Sequence, residues 1–127
     1  MEGFKPEELK NFLKAVFALA WADRVIQQEE QDALREMLLS YELSPELSAC
    51  TEEWFTTPVQ ISSVDFSCFS EEAKSFVYLS AWLIAKADGK IAPEENTVLR
   101  ELAARLNLTD PVIERIQSEN RIADEMF

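Results

Sequence analysis

Acidic residues recur in this chain at a fixed spacing. Residues 20–44 and 85–109 align at an offset of 65, with ten identities over twenty-five positions, where average composition gives roughly one or two. The shared unit is Asp-x-x-Ile-x-x-Glu-Glu, present as Asp23, Ile26, Glu29, Glu30 and again as Asp88, Ile91, Glu94, Glu95. Each copy sets an aspartate at the end of one helix beside glutamates that open the next. Carboxylates brought together repel unless a proton or a cation intervenes. Hard cations such as calcium and magnesium take oxygen ligands. The chemistry on offer is therefore the holding of a divalent cation. The second copy, DGKIAPEE, imitates the later half of an EF-hand loop, with Gly89 at its sixth place and Glu95 at its twelfth. Its first and third places would be Ile84 and Lys86, and those of the first copy Leu19 and Trp21, none of which supplies a side-chain oxygen. A true EF-hand is excluded. Any metal would need carboxylates pooled from both copies, across a pseudo-twofold axis.

The same acids also have a structural reading. Glu30 and Glu95 stand where the third-position glutamate of a capping box reaches back to a free backbone N–H. Ala92, at the cap itself, has no oxygen to offer, and acids near a helix start gain from the dipole in any case. Both readings place the paired acids at surface turns.

Other chemistry is poorly served. The chain has no histidine, which removes the commonest general base and zinc ligand together. Cys50 and Cys68 have nothing to activate them as nucleophiles, and both read as reduced thiols. With only Gly3 and Gly89 there is no phosphate loop. No substrate cleft is identifiable, so an enzyme is not expected. The net charge of -12 repels phosphate backbones and anionic lipid. It suits basic partner proteins or divalent cations instead. Neither a secretory signal nor a stretch long enough to span a bilayer is visible, so a cytoplasmic chain without nucleic-acid binding or membrane insertion is expected.

The elements that position the acids follow from helical periodicity. Pro6-Glu7-Glu8 opens a first helix, with Leu9, Phe12, Leu13, Val16 and Ala20 at helical spacing. It ends near Asp23, and Ile26 in the turn points inward. A second helix runs from about Gln28 to Tyr41. Ser44-Pro45-Glu46 is a start signal for a short helix through Trp54 or Phe55. Residues 56–69 form a linker packed on the body, with a short strand near Val59–Val64 as an alternative. Ser70-Glu71-Glu72 opens a helix to Ala87 that is apolar nearly all round and so predicted to be the buried central helix. Gly89 ends it. Pro93 starts the next helix, and Asp110-Pro111 the last. The result is a single all-α domain over 1–127: a six-helix bundle of two related three-helix halves, about 6–55 and 70–123.

Trp21 stands out among the aromatics. Its counterpart is Lys86, a residue type that avoids burial, so Trp21 is expected at the surface as a partner contact.

At these residues the chain resembles the TerB-like domains of bacteria, the family of the tellurite-resistance protein TerB and of the related domain of DjlA-type co-chaperones. The block that carries the resemblance is Ala87-Asp88-Gly89-Lys90-Ile91-Ala92-Pro93-Glu94-Glu95, followed by Leu99, Leu102, Ala103 and Leu106. It is echoed by Ala20-Trp21-Ala22-Asp23-Arg24-Val25-Ile26 with Glu29 and Glu30. The resemblance implies an all-α fold of two halves and divalent-cation binding at Asp23, Glu29, Glu30, Asp88, Glu94 and Glu95. It also implies a stress-response role through protein partners. Two departures stand out: Arg24 replaces the glycine of the first copy, and Lys86 and Lys90 put cations beside the second. The sequence thus points to a small cytoplasmic protein-interaction module, with a calcium- or magnesium-binding protein as the alternative. The partner's identity is not legible.

Overall fold

The computed structural model describes the backbone of residues 4–87 and 89–126, and side chains as far as residue 119. Asp88 lies outside the described residues. The described residues form six α-helices: α1 Pro6–Ala20, α2 Gln28–Leu38, α3 Pro45–Trp54, α4 Glu71–Ala85, α5 Pro93–Arg105 and α6 Asp110–Met126. Among the described residues there is no strand. The linker instead holds two 3-10 turns, Ile61–Ser63 and Phe66–Cys68. An isolated strand would leave its backbone unpaired, whereas each 3-10 turn closes on itself and lets Val59, Val64 and Phe69 reach the core.

Local chemistry sets the helix starts. The Ser44 hydroxyl accepts from Leu47 N–H, and that of Ser70 from Ala73 N–H. At α2 and α5 the stabilising contact runs the other way. Glu30 Oε1 accepts from Gln27 N–H at 3.1 Å, and Glu95 Oε1 from Ala92 N–H at 2.9 Å. These are equivalent positions in the two copies. The turns before them also match. Ala22 N–H bonds to Leu19 carbonyl and Arg24 N–H to Trp21; in the second copy Ala87 bonds to Ile84 and Gly89 to Lys86. Arg24 has φ 71° and Gly89 φ 90°, so both elbows need a left-handed residue at the same place.

The helices pair across the halves. α1 lies on α4, α5 packs on α1 and α4, α2 on α4, α3 on α1 and α6 on α4. The core runs along the α1–α4 interface with Phe12, Leu13, Phe17, Val77, Trp82 and Leu102 among its largest buried side chains. α4 is central as expected, touching α1, α2, α5 and α6, but it shares the core with α1, which is the more deeply buried. In α1, ten residues from Glu8 to Ala20 are buried, while in α4 Leu83 is 42% exposed and Phe76 and Leu79 are half-buried. The reason is the linker, which covers α1 and not α4.

Candidate functional site

The crossing of helices between halves brings the third residues of α2 and α5 together. Glu30 and Glu95 are 1% and 2% exposed. They lie in the core, which corrects the expectation of surface acids. One oxygen of each caps its own helix. The other, Oε2, is buried and receives no hydrogen bond from the protein in either residue. The two carboxyls lie against one another. Burial first, then contact with Glu95, and the charges of Glu95 and Asp23, push the Glu30 carboxyl up to about 9; only the Gln27 N–H pulls it down. Two like charges in a dry site cannot both ionise. Burial and the facing Glu95 carboxyl thus favour a proton held at Glu30 near neutral pH.

The remaining acids of the pattern are placed differently. Asp23 is half-buried; its Oδ1 accepts from Val25 N–H at 3.3 Å, and its charge reaches Glu30. Glu29 and Glu94 are exposed on the outer faces of α2 and α5. Asp88 is outside the described residues. The Lys86 ammonium lies 4.1 Å from the Trp82 ring centroid, and Arg24 is exposed.

Two carboxylates with free oxygens are suitable donors for a hard cation. Calcium takes roughly six to eight oxygens, and magnesium keeps several waters. Among the described residues no group of three or more Asp, Glu or Cys is placed to hold a metal ion, and the orphan oxygens have almost no contact with solvent. A proton fits the pair as it stands. A cation fits only if the elbows open to admit water or a further carboxylate.

Trp21 is half-buried. Its indole N–H donates to the Trp54 carbonyl at 2.8 Å, tying the first elbow to the end of α3. Cys50 and Cys68 are free thiols, and burial, then Asp65, hold the Cys68 thiol above its ordinary value. A hollow of about 470 Å³ between the start of α1 and α3 is lined by Glu7, Glu42, Glu46 and Cys50 among apolar residues.

Sequence reasoning missed three anchors of the linker. Glu8 accepts from Lys5 N–H and, through its other oxygen, from Ser70 N–H; those two bonds hold its carboxyl below the ordinary value. Asn11 Oδ1 accepts from Asp65 N–H at 2.8 Å, and Lys14 Nζ donates to the Ser63 carbonyl at 3.3 Å. The signal was present in outline: Asn11 lies beside Phe12 on the apolar stripe of α1, where an unpaired amide would be costly.

An all-α bundle of two halves joined through a buried acid pair is thus the class that the fold and site define. The profile of the family described as "Protein of unknown function (DUF533)" matches residues 4–120. The chain belongs to that family. No curated protein and no solved structure matches it. Among the described residues no helix is long and apolar enough to cross a membrane.

Proposed function

We propose that this chain is a TerB-like, non-enzymatic protein-interaction module of the bacterial stress-response kind, acting in the cytoplasm. The observation that carries this reading is an apolar strip between α2 and α4 that no described residue covers, with Leu83 42% exposed at its edge. Its support is physical. A small acidic chain without a nucleophile–base pair keeps large apolar side chains in water, where burial against a partner is favourable. The net charge of -12 directs it to basic proteins and away from nucleic acid and anionic membrane. The test is quantitative capture from native lysate with the wild type and with Leu83→Glu. A protein retained by the former and lost by the latter is expected; a capture profile indifferent to the substitution contradicts the reading.

A second reading is favoured by the two orphan oxygens. Divalent-cation binding at Glu30 and Glu95, with Asp23 and Asp88 as further carboxylates and the exposed Glu29 and Glu94 as outer ones, would replace the shared proton. The resemblance to tellurite-resistance proteins fits this reading, though no tellurium chemistry follows from it. Calorimetric titration with calcium and with magnesium tests it. Heat that disappears in Glu30→Gln with Glu95→Gln is expected, and no heat at about 1 mM cation contradicts it.

A further inference from the structure

Resting on the interaction-module reading, we propose that the groove between α2 and α4 is the docking site for a basic amphipathic helix of a partner protein. The pseudo-symmetry of the chain identifies the groove. Subtracting 65 from its α4 wall, Phe76, Leu79 and Leu83, gives Asn11, Lys14 and Ala18 on α1; adding 65 to its α2 wall, Met37 and Ser40, gives Leu102 and Arg105 on α5. That second groove is already filled. Both 3-10 turns of the linker lie on α1. Asn11 and Lys14 hold the linker backbone, and Phe66 lies 5.8 Å from the Arg105 guanidinium. Ala18 is 5% exposed and Leu102 is buried outright. The α2–α4 groove stands at the equivalent place, with more apolar walls, and no described residue covers it. It is a depression of about 340 Å³, with Leu83 42% exposed.

The walls also say what can cover it. The linker, an irregular segment, stays on α1 because an amide and an ammonium satisfy its backbone. Their counterparts on α4, Phe76 and Leu79, are hydrocarbon and offer no such group. An extended peptide would find only Glu36, Ser40 and Ser80 to satisfy its backbone N–H and C=O groups, fewer than its length requires. A helix satisfies its own backbone and brings apolar side chains at helical spacing, which is how amphipathic helices enter grooves between helices. Charge sets its sign. Glu36 lines the groove and is exposed. Glu29 lies two turns before it on α2, and Glu72 one turn before Phe76 on α4, both exposed. No lysine or arginine is among the lining residues. An occupant with lysine or arginine beside its apolar stripe is attracted, and one with acids is repelled.

The test is fluorescence anisotropy of the full chain with labelled synthetic peptides of about 14 residues: leucine and lysine at helical spacing, its leucine and glutamate counterpart, and a lysine and serine peptide of equal charge. Saturable one-to-one binding of the leucine and lysine peptide alone is expected. Leu83→Glu and Glu36→Lys should each weaken it by about tenfold or more, with unchanged circular dichroism, while Val25→Glu, on the exposed first elbow, should not. Equal binding of the lysine and serine peptide would overturn the proposal by reducing it to charge alone, and equal losses in Leu83→Glu and Val25→Glu would overturn it by removing the groove's particular part in binding. Binding lost in Trp21→Ala and kept in Leu83→Glu would overturn it too, while leaving an interaction module with a different face. A dimer in sedimentation equilibrium that Leu83→Glu disperses would make a second copy the occupant and refute the basic helix. Failure of every peptide beside a lysate partner that depends on Leu83 would refute the partner's chemistry but not the module.

Discussion

Replacing Glu30 by glutamine tests the buried acid pair through its pH dependence. Burial and the facing Glu95 carboxyl raise Glu30 from its ordinary 4.5 to about 9. Between those values the native chain keeps a proton that the unfolded chain has released. A raised acid of this kind contributes stability that is complete below about pH 4.5 and lost as pH climbs through about 9. Each pH unit in that window removes at most about 1.4 kcal/mol. From about pH 6 to about pH 8 the loss is on the order of 2 kcal/mol, or about 7 °C in Tm for a chain of this size. The Glu30→Gln amide keeps the oxygen that accepts from Gln27 N–H and turns an N–H toward Glu95 Oε2, doing permanently what the shared proton does reversibly. Its stability should match the wild type near about pH 5 and exceed it by about 4 kcal/mol near about pH 8. Urea unfolding of both chains across that range measures the difference directly. A difference that stays flat with pH, or that favours the wild type at high pH, would refute the shared proton.

Five further outcomes follow from the same geometry. If a divalent cation enters the pair, about 1 mM calcium or magnesium near about pH 8 should raise the wild-type Tm and leave Glu30→Gln with Glu95→Gln unchanged; thermal melts decide it. Arg24→Gly should stabilise the first elbow by about 0.5 kcal/mol, because φ 71° strains a residue with a Cβ. Gly89→Ala, at φ 90° with open space around its Cα, should destabilise by about 1 kcal/mol through backbone strain alone, and chemical denaturation checks both. Trp21→Phe should destabilise by about 1 kcal/mol for the lost bond to the Trp54 carbonyl, and if Trp21 is also a partner contact the same variant should weaken capture of that partner. Glu8→Ala should destabilise by about 2 kcal/mol by freeing Ser70 and Lys5 N–H groups; because its carboxyl is held low, the wild-type advantage is present above about pH 4.5 and lost as pH falls below it.

The repeat and the elbows were legible in the residues. Identical spacing of Asp, Ile and Glu-Glu predicted two bent helical pairs, and the backbone bonds of the two elbows coincide position for position. Ser44 and Ser70 announced their helices, and both hydroxyls cap. Burial was read less well, for a reason that patterns cannot supply. An apolar helix is buried only if something covers it, and what covers α1 is a linker some fifty residues further along the chain, held by Asn11 and Lys14. Phe76, Leu79 and Leu83 look like core in one dimension and form an open groove in three. Glu30 and Glu95 failed in the opposite sense. A glutamate at the third position of a helix is normally solvated, and nothing in either copy says that α2 packs on α4 and α5 on α1, which turns both acids inward.

Two grooves stand at equivalent places in the halves, one filled by the linker and one that no described residue covers, proposed above as the partner's seat. Amide hydrogen exchange with and without the leucine and lysine peptide reads both grooves in one sample. New protection confined to residues 33–40 and 76–84, with residues 11–19 unchanged, is the result the account predicts. Protection spread equally over the two grooves, or appearing only outside them, would contradict it.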